Sequence, residues 1–190
     1  MSSSASTEPP APAPGVNPGR RRLLSLGVGI VLAAGLWVGL TAFSAPAPAK
    51  AHSFSLPRLG GGPRVTVPIV GEGAHEAVVV TFFASWCGPC HTEMPAFARV
   101  AREAEASGDK IQFIGVDDND APASGLAFAR KSGVRFPVGR DAFSQTAPDY
   151  GIVGNPSTVF IDAAGNVVKT VRGPVTTGTL EAEIAKIDGT

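Results

Sequence analysis

The sequence predicts an α/β fold, a mixed central sheet with helices on both faces, preceded by a single transmembrane segment. Three observations carry that expectation. Ala77 to Phe83 is a near-continuous run of β-branched and aromatic residues, the pattern of a strand buried on both faces. Helix-patterned and strand-patterned segments then alternate, and a strand pair and a last helix follow, an order that builds a mixed sheet. Ahead of them Leu23 to Phe43 is uncharged and mostly apolar. At about 1.5 Å per residue it is long enough to cross a hydrocarbon core of roughly 30 Å.

Taken in order, residues 1–19 are dominated by Ser, Ala, Pro and Gly and cannot bury enough apolar surface to offset their ordering entropy, so they read as a disordered cytoplasmic tail. Residues 20–43 read as a transmembrane anchor or uncleaved signal. Arg20, Arg21 and Arg22 precede the apolar stretch and no basic cluster follows closely, which leaves the N-terminus in the cytoplasm and exports everything after Phe43. Trp37 and Phe43 suit the far interface. Ala49-Lys50-Ala51 also resembles a cleavage site, and Gly19 to Leu24 a twin-arginine export signal. The long apolar core favours retention, and both alternatives place the domain outside.

Residues 44–52 form a Pro/Ala linker and residues 53–190 the folded domain. A hairpin is expected from Arg64 to Val70, then the buried strand Ala77 to Phe83. A helix runs from Pro89 to Ala106, with Phe97, Val100, Ala101 and Ala104 at helical spacing. Ile111 to Val116 is a strand and Ala123 to Ser132 a helix. Thr158 to Ile161 and Val167 to Val171 pair across the turn Asp162-Ala163-Ala164-Gly165-Asn166. Thr177 to Ile187 is a last amphipathic helix.

The formal net charge of this 190-residue chain is zero, so it offers no basic footprint and no nucleic-acid partner is expected. Only two cysteines occur, three positions apart, which excludes a framework of disulfide staples. They can bond to each other, to a partner's thiol or to a ligand.

Trp86-Cys87-Gly88-Pro89-Cys90 stands between the buried strand and the first helix. A cysteine there has its thiolate stabilised by free backbone N–H groups and the positive end of the helix dipole. Pro89 is tolerated because first-turn N–H groups have no intrahelical partner. Cys87, at the very start, is expected as the exposed nucleophile, and Cys90, one turn in, as the buried resolving thiol. Cys87 to His91 also fits the C-x-x-C-H attachment motif of c-type haem, but the preceding buried strand and the internal proline argue against it, and Met94 is the one exported methionine. A metal site is not expected: His52, His75 and His91 show no metal-ligand spacing. His91 reads as an exposed helix residue that tunes the thiolate. Asp117-Asp118-Asn119-Asp120 lacks the glycine and distal glutamate of a calcium loop and reads as a solvated loop. Gly60-Gly61-Gly62 reads as a turn.

W-C-G-P-C after a strand resembles the thioredoxin-superfamily active site, and this version is similar to the TlpA/ResA-like membrane-anchored thiol–disulfide oxidoreductases. Phe54-Ser55-Leu56-Pro57, Glu93 with Pro95, and the run Tyr150 to Asp162 carry the resemblance further, over about residues 53 to 187. The resemblance implies a thioredoxin-like fold, a cis Asn155–Pro156 bond facing the cysteines, and substrate positioning by Asn155, Pro156 and Trp86. Trp86 could otherwise be a core aromatic. It also implies that Glu93 exchanges protons with Cys90, because Thr81 stands where cytoplasmic thioredoxins carry a buried aspartate. The rival reading of Glu93 is a solvated helix carboxylate. Gly88 and Pro89 complete the active-site loop.

The implied activity is extracytoplasmic dithiol–disulfide exchange with protein substrates, using the Cys87–Cys90 pair and no cofactor. The implied direction is reduction of exported cysteine pairs such as those of apocytochrome c, with a membrane thiol protein as electron donor or acceptor. The alternatives are an oxidase that inserts disulfides into exported proteins and, from another class, a covalent haem carrier. The chain is expected to act as a monomer.

Overall fold

The computed structural model describes residues 49–67 and 76–188. The expected tail, the membrane segment at 23–43 and the end of the Arg64-to-Val70 hairpin lie outside those residues. Among the described residues no helix is long and apolar enough to cross a membrane.

The chain forms β1 (Phe54–Leu56), β2 (Val65–Val67), β3 (Ala77–Phe83), α1 (Gly88–Ser107), β4 (Ile111–Asp118), α2 (Pro122–Lys131), β5 (Val138–Asp141), a 3-10 turn (Ala147–Tyr150), β6 (Ser157–Ile161), β7 (Val167–Arg172) and α3 (Thr177–Asp188). The main sheet has the order β5-β4-β3-β6-β7. β3 is parallel to β4 and β4 to β5, whereas β6 is antiparallel to both β3 and β7. β3 lies at the centre with all seven residues buried, which is why its sequence shows no alternation.

The two faces are covered differently from the expectation of helices on both. Val78, Val80 and Phe82 of β3 pack with Val65 and Val67 of β2 and with Tyr150 and Ile152. Ala77 and Val79 point the other way, onto Phe97 and Val100 of α1 and Leu180 and Ile184 of α3. Phe83, on that same second face, meets Met94 of α1 and Phe128 of α2. All three described α-helices therefore share one face, and the β1–β2 pair with a single 3-10 turn covers the other. The cause is topological: the crossovers β3-α1-β4 and β4-α2-β5 step in the same direction along the sheet, and right-handedness then puts both helices on one side.

The hairpin also differs from expectation. Its strands are Phe54–Leu56 and Val65–Val67, antiparallel, rather than the two halves of Arg64 to Val70. The connection uses Gly60, Gly61 and Gly62 at φ 84°, 90° and 104°, a region that glycine enters without a Cβ clash. Along this connection Leu59 donates its N–H to Val138 O at 2.8 Å and Arg140 donates to Pro57 O at 2.8 Å, so the edge strand β5 is capped rather than open. β5 was absent from the sequence reading because Val138-Gly139-Arg140-Asp141 carries neither length nor β-branched density. The folded part begins ahead of Ser53: Ala51 N–H donates to Gly165 O at 3.0 Å, and the Tyr150 hydroxyl donates to the His52 carbonyl.

The close approach of β1 to β5 depends on Gly139. A Cβ there would lie 2.8 Å from Leu56 Cβ, an atom fixed to the backbone. Gly139→Ala should therefore destabilise the fold by about 1–3 kcal/mol, read as a lower urea midpoint with an unchanged slope. An unchanged midpoint would mean that β1 does not dock there.

Candidate active site

β3 delivers the chain to the N-terminus of α1, and Cys87 occupies the N-cap with φ −81° and ψ 106°. Cys87 and Cys90 form a disulfide with Cα atoms 5.3 Å apart. The Cys90 N–H points at Cys87, 3.3 Å from its Sγ and 3.1 Å from its carbonyl oxygen. That N–H and the positive end of the helix dipole are placed to stabilise negative charge on the Cys87 sulfur when the disulfide opens. One expectation needs correction here. Cys87 is only 4% exposed, against 0% for Cys90, so in the disulfide form neither sulfur-bearing residue is open to solvent. The reason is the apolar nest of Phe83, Ala84, Met94 and Phe128 that gathers both cysteines. The exposed part of the loop is Trp86, Gly88 and Pro89.

Glu93, one turn beyond Cys90, is 5% exposed rather than solvated. Its Oε2 accepts the Val175 N–H at 2.9 Å, while Oε1 has no partner. Burial pushes its pKa up from 4.5 to about 7, against the smaller opposing pull of the Val175 N–H. A carboxyl that holds its proton to neutrality and can release it is suited to proton exchange with a neighbouring thiol. Thr81 is fully buried in β3, opposite Thr158 of β6.

The Asn155–Pro156 peptide is cis. Ser157 pairs with Phe82, which places Pro156 at the same end of the sheet where β3 runs out towards Cys87. Asn155 and Trp86 line a common cleft with Asp118, Asn119 and Val153. Trp86 is 60% exposed and not a core aromatic, and its indole Nε1 donates to Asn119 O at 3.0 Å.

The acidic run is where sequence reasoning went astray. Asp117, Asp118 and Asp120 are 0%, 6% and 9% exposed, not solvated, because β4 continues to Asp118 instead of stopping at Val116. Three residues of this run, Asp118, Asn119 and Asp120, brace loops of the site. Asp120 accepts from the Ser85 N–H at 2.5 Å and from the Ser85 hydroxyl at 2.9 Å, just ahead of Cys87. Asn119 holds Trp86, and Asp118 accepts from Asn155 Nδ2 at 3.0 Å. The signal was available: carboxylates that follow a buried strand directly, at the sheet end that carries the cysteines, are candidates for burial. His91 is exposed, as expected, and its Nε2 lies 2.8 Å from Ser85 O. Among the described residues no cluster of His, Cys, Asp and Glu is placed to hold a metal ion.

The Glu93 geometry sets a pH dependence. The unfolded chain releases this proton near pH 4.5 and the folded protein keeps it to about 7, so folded protein binds the extra proton in that window and stability falls as pH rises through it. Glu93→Gln should lose less stability than the wild type between those two values, measured as urea midpoint against pH. Superimposable profiles would show that Glu93 ionises at its ordinary value.

Comparison with known proteins agrees with this geometry. Residues 48–170 match the model of the AhpC/TSA family. Over 107 residues the chain is 30% identical to the thiol:disulfide interchange protein HelX of Rhodobacter capsulatus, a match that takes in 56% of this chain and only 57% of HelX. It is 27% identical over 165 residues to the thiol-disulfide oxidoreductase ResA of Bacillus subtilis, covering 83% of this chain and 89% of ResA. A crystal structure of a DsbE-type thiol:disulfide interchange protein from Chlorobium tepidum superposes with a TM-score of 0.64 at 27% identity, covering 76% of this chain and 99% of that one. The fold is thioredoxin-like, and the chain belongs to the AhpC/TSA family.

Proposed function

We propose that this protein is a thiol–disulfide oxidoreductase that exchanges its Cys87–Cys90 pair with cysteines of protein substrates. The observation that carries the reading is the disulfide at the N-terminus of α1 with the buried, proton-holding Glu93 one turn behind it. The names of HelX, ResA and the DsbE-type structure agree in kind. Cys87 attacks the substrate disulfide and forms the mixed disulfide, Cys90 resolves it, and Glu93 supplies or takes the accompanying proton. Trp86, Asn155 and Pro156 position the substrate backbone, which could pair with the cis-proline turn as an added strand. Gly88 and Pro89 form the exposed rim of the loop. No dissociable cofactor is required.

The chain works outside the cytoplasm, tethered by residues 23–43, as a monomer that exchanges electrons with a membrane thiol protein. Its direction is reductive, and its substrates are exported cysteine pairs such as those of apocytochrome c. The haem-carrier alternative is disfavoured by the position of both cysteines, joined to each other inside an apolar nest.

The reduction potential tests the direction. Equilibrated with glutathione or dithiothreitol buffers, the protein should show a two-electron couple near that of thioredoxin, about −270 mV. A value near −120 mV, the range of strong oxidants, would overturn the reductive reading in favour of disulfide insertion.

A further inference from the structure

Outside the dithiol and Glu93, buried charge concentrates in the turn that ends β4. Asp117 is 0% exposed, and neither of its carboxylate oxygens meets a hydrogen-bond donor. It points to the helical face of the sheet, opposite Phe83, beneath α2. There α2 presents Gly125, where any Cβ would collide with both Asp117 oxygens. The helix backbone thus closes over the carboxyl and leaves no room for water to solvate it.

Asp120 is served quite differently. Its oxygens accept from the Ser85 N–H at 2.5 Å, the Ser85 hydroxyl at 2.9 Å and the Ala121 N–H at 2.7 Å. It also precedes the N-terminus of α2, where negative charge is favoured. Its carboxyl lies within hydrogen-bond reach of Asp117. If both were ionised, no proton would stand between them and Asp117 would be a buried anion with no hydrogen-bond donor, a costly state even with the Arg140 charge nearby. A single proton removes the difficulty. Asp120 already accepts three hydrogen bonds and the Asp117 oxygens accept none, so the proton is placed on Asp117, from which it can bond to Asp120.

We infer that Asp117 and Asp120 share one proton as a buried carboxyl pair, and that the pair positions Ser85 and through it the loop bearing Trp86 and Cys87. Asp117 is a positioning residue: it touches no sulfur and acts through Asp120. The charged groups that face it are Asp120 and Asp118 from its own strand and turn and Arg140 from β5, while α2 offers only Gly125. His91 of α1 holds the carbonyl side of Ser85, so the residue is gripped from two directions. Burial, reinforced by Asp120, outweighs the opposing Arg140 charge and raises the Asp117 pKa to about 7. Above that pH two carboxylates lie side by side without a proton, and the grip on Ser85 loosens.

The positioning role rests on Cys87 being the attacking thiol, but the shared proton does not, so the test separates the two. Full-length protein labelled with carbon-13 at the aspartate carboxyl is titrated by NMR in its disulfide form. The Asp117 carboxyl resonance should move near pH 7, and the Asp120 carboxyl resonance and the Ser85 amide should sense that step at the same midpoint. Asp117→Asn, whose amide can still donate to Asp120, should abolish that step in Asp120 and Ser85 alike, whereas Glu93→Gln should leave it intact. An Asp117 resonance that titrates in the ordinary carboxylate range would overturn the inference. So would a Ser85 amide that is flat through neutrality in the wild type, a result that needs no variant to fold.

Discussion

Complete burial of β3 is the constraint on which the rest of the structure depends. A strand with both faces covered cannot shift register without mismatching the side chains packed in two core clusters at once, so its last residues are fixed in space. The loop Ala84 to Cys87 starts from that fixed point, and α1 starts from the loop. The position of Cys87 at a helix N-terminus is thus inherited from the core instead of being set by local loop preferences. The same burial explains why the cysteines are enclosed, since Phe83 at the end of β3 forms part of their nest.

A second layer of fixation is polar. β4, parallel to β3, ends beside it and sends out Asp118, Asn119 and Asp120, which hold Asn155, Trp86 and Ser85 in turn. The dithiol loop and the cis-proline loop come from strands on opposite sequence sides of β4, and one short acidic run ties them both. Two of these bonds, to Asp118 and Asp120, are part-buried, and the third, to the Asn119 carbonyl, is exposed. Buried carboxyls carry a cost, and Glu93 and Asp117 meet it by holding protons towards neutrality. In both, desolvation by burial is the largest cause and raises the pKa to about 7.

Much of this was legible in the sequence, for reasons that can be named. The β3 run, the helix periodicity of Phe97, Val100, Ala101 and Ala104, and the turn at Asp162 to Asn166 are local patterns, and local patterns survive translation into structure. The cysteines were placed by a motif whose chemistry requires a helix start. What was missed is non-local. The arrangement of all three helices on one face follows from the direction of two crossovers, which no single segment encodes. β5 exists because the Pro57-to-Leu59 segment and β4 flank it, not because Val138 to Asp141 favours a strand. The acidic run carries no local sign of burial, because carboxylates usually are solvated, and the cover over Asp117 comes from α2, which places a glycine there.

The measurement closest to the central claim is a trapping experiment with an oxidised protein substrate. Cys90→Ser should accumulate a mixed disulfide through Cys87 that dithiothreitol releases, while Cys87→Ser should accumulate none, because the thiol at the helix N-terminus attacks first. A mixed disulfide that forms on Cys90 in Cys87→Ser and fails to form in Cys90→Ser would contradict the assignment of roles. The absence of any mixed disulfide in either variant would contradict thiol–disulfide exchange itself.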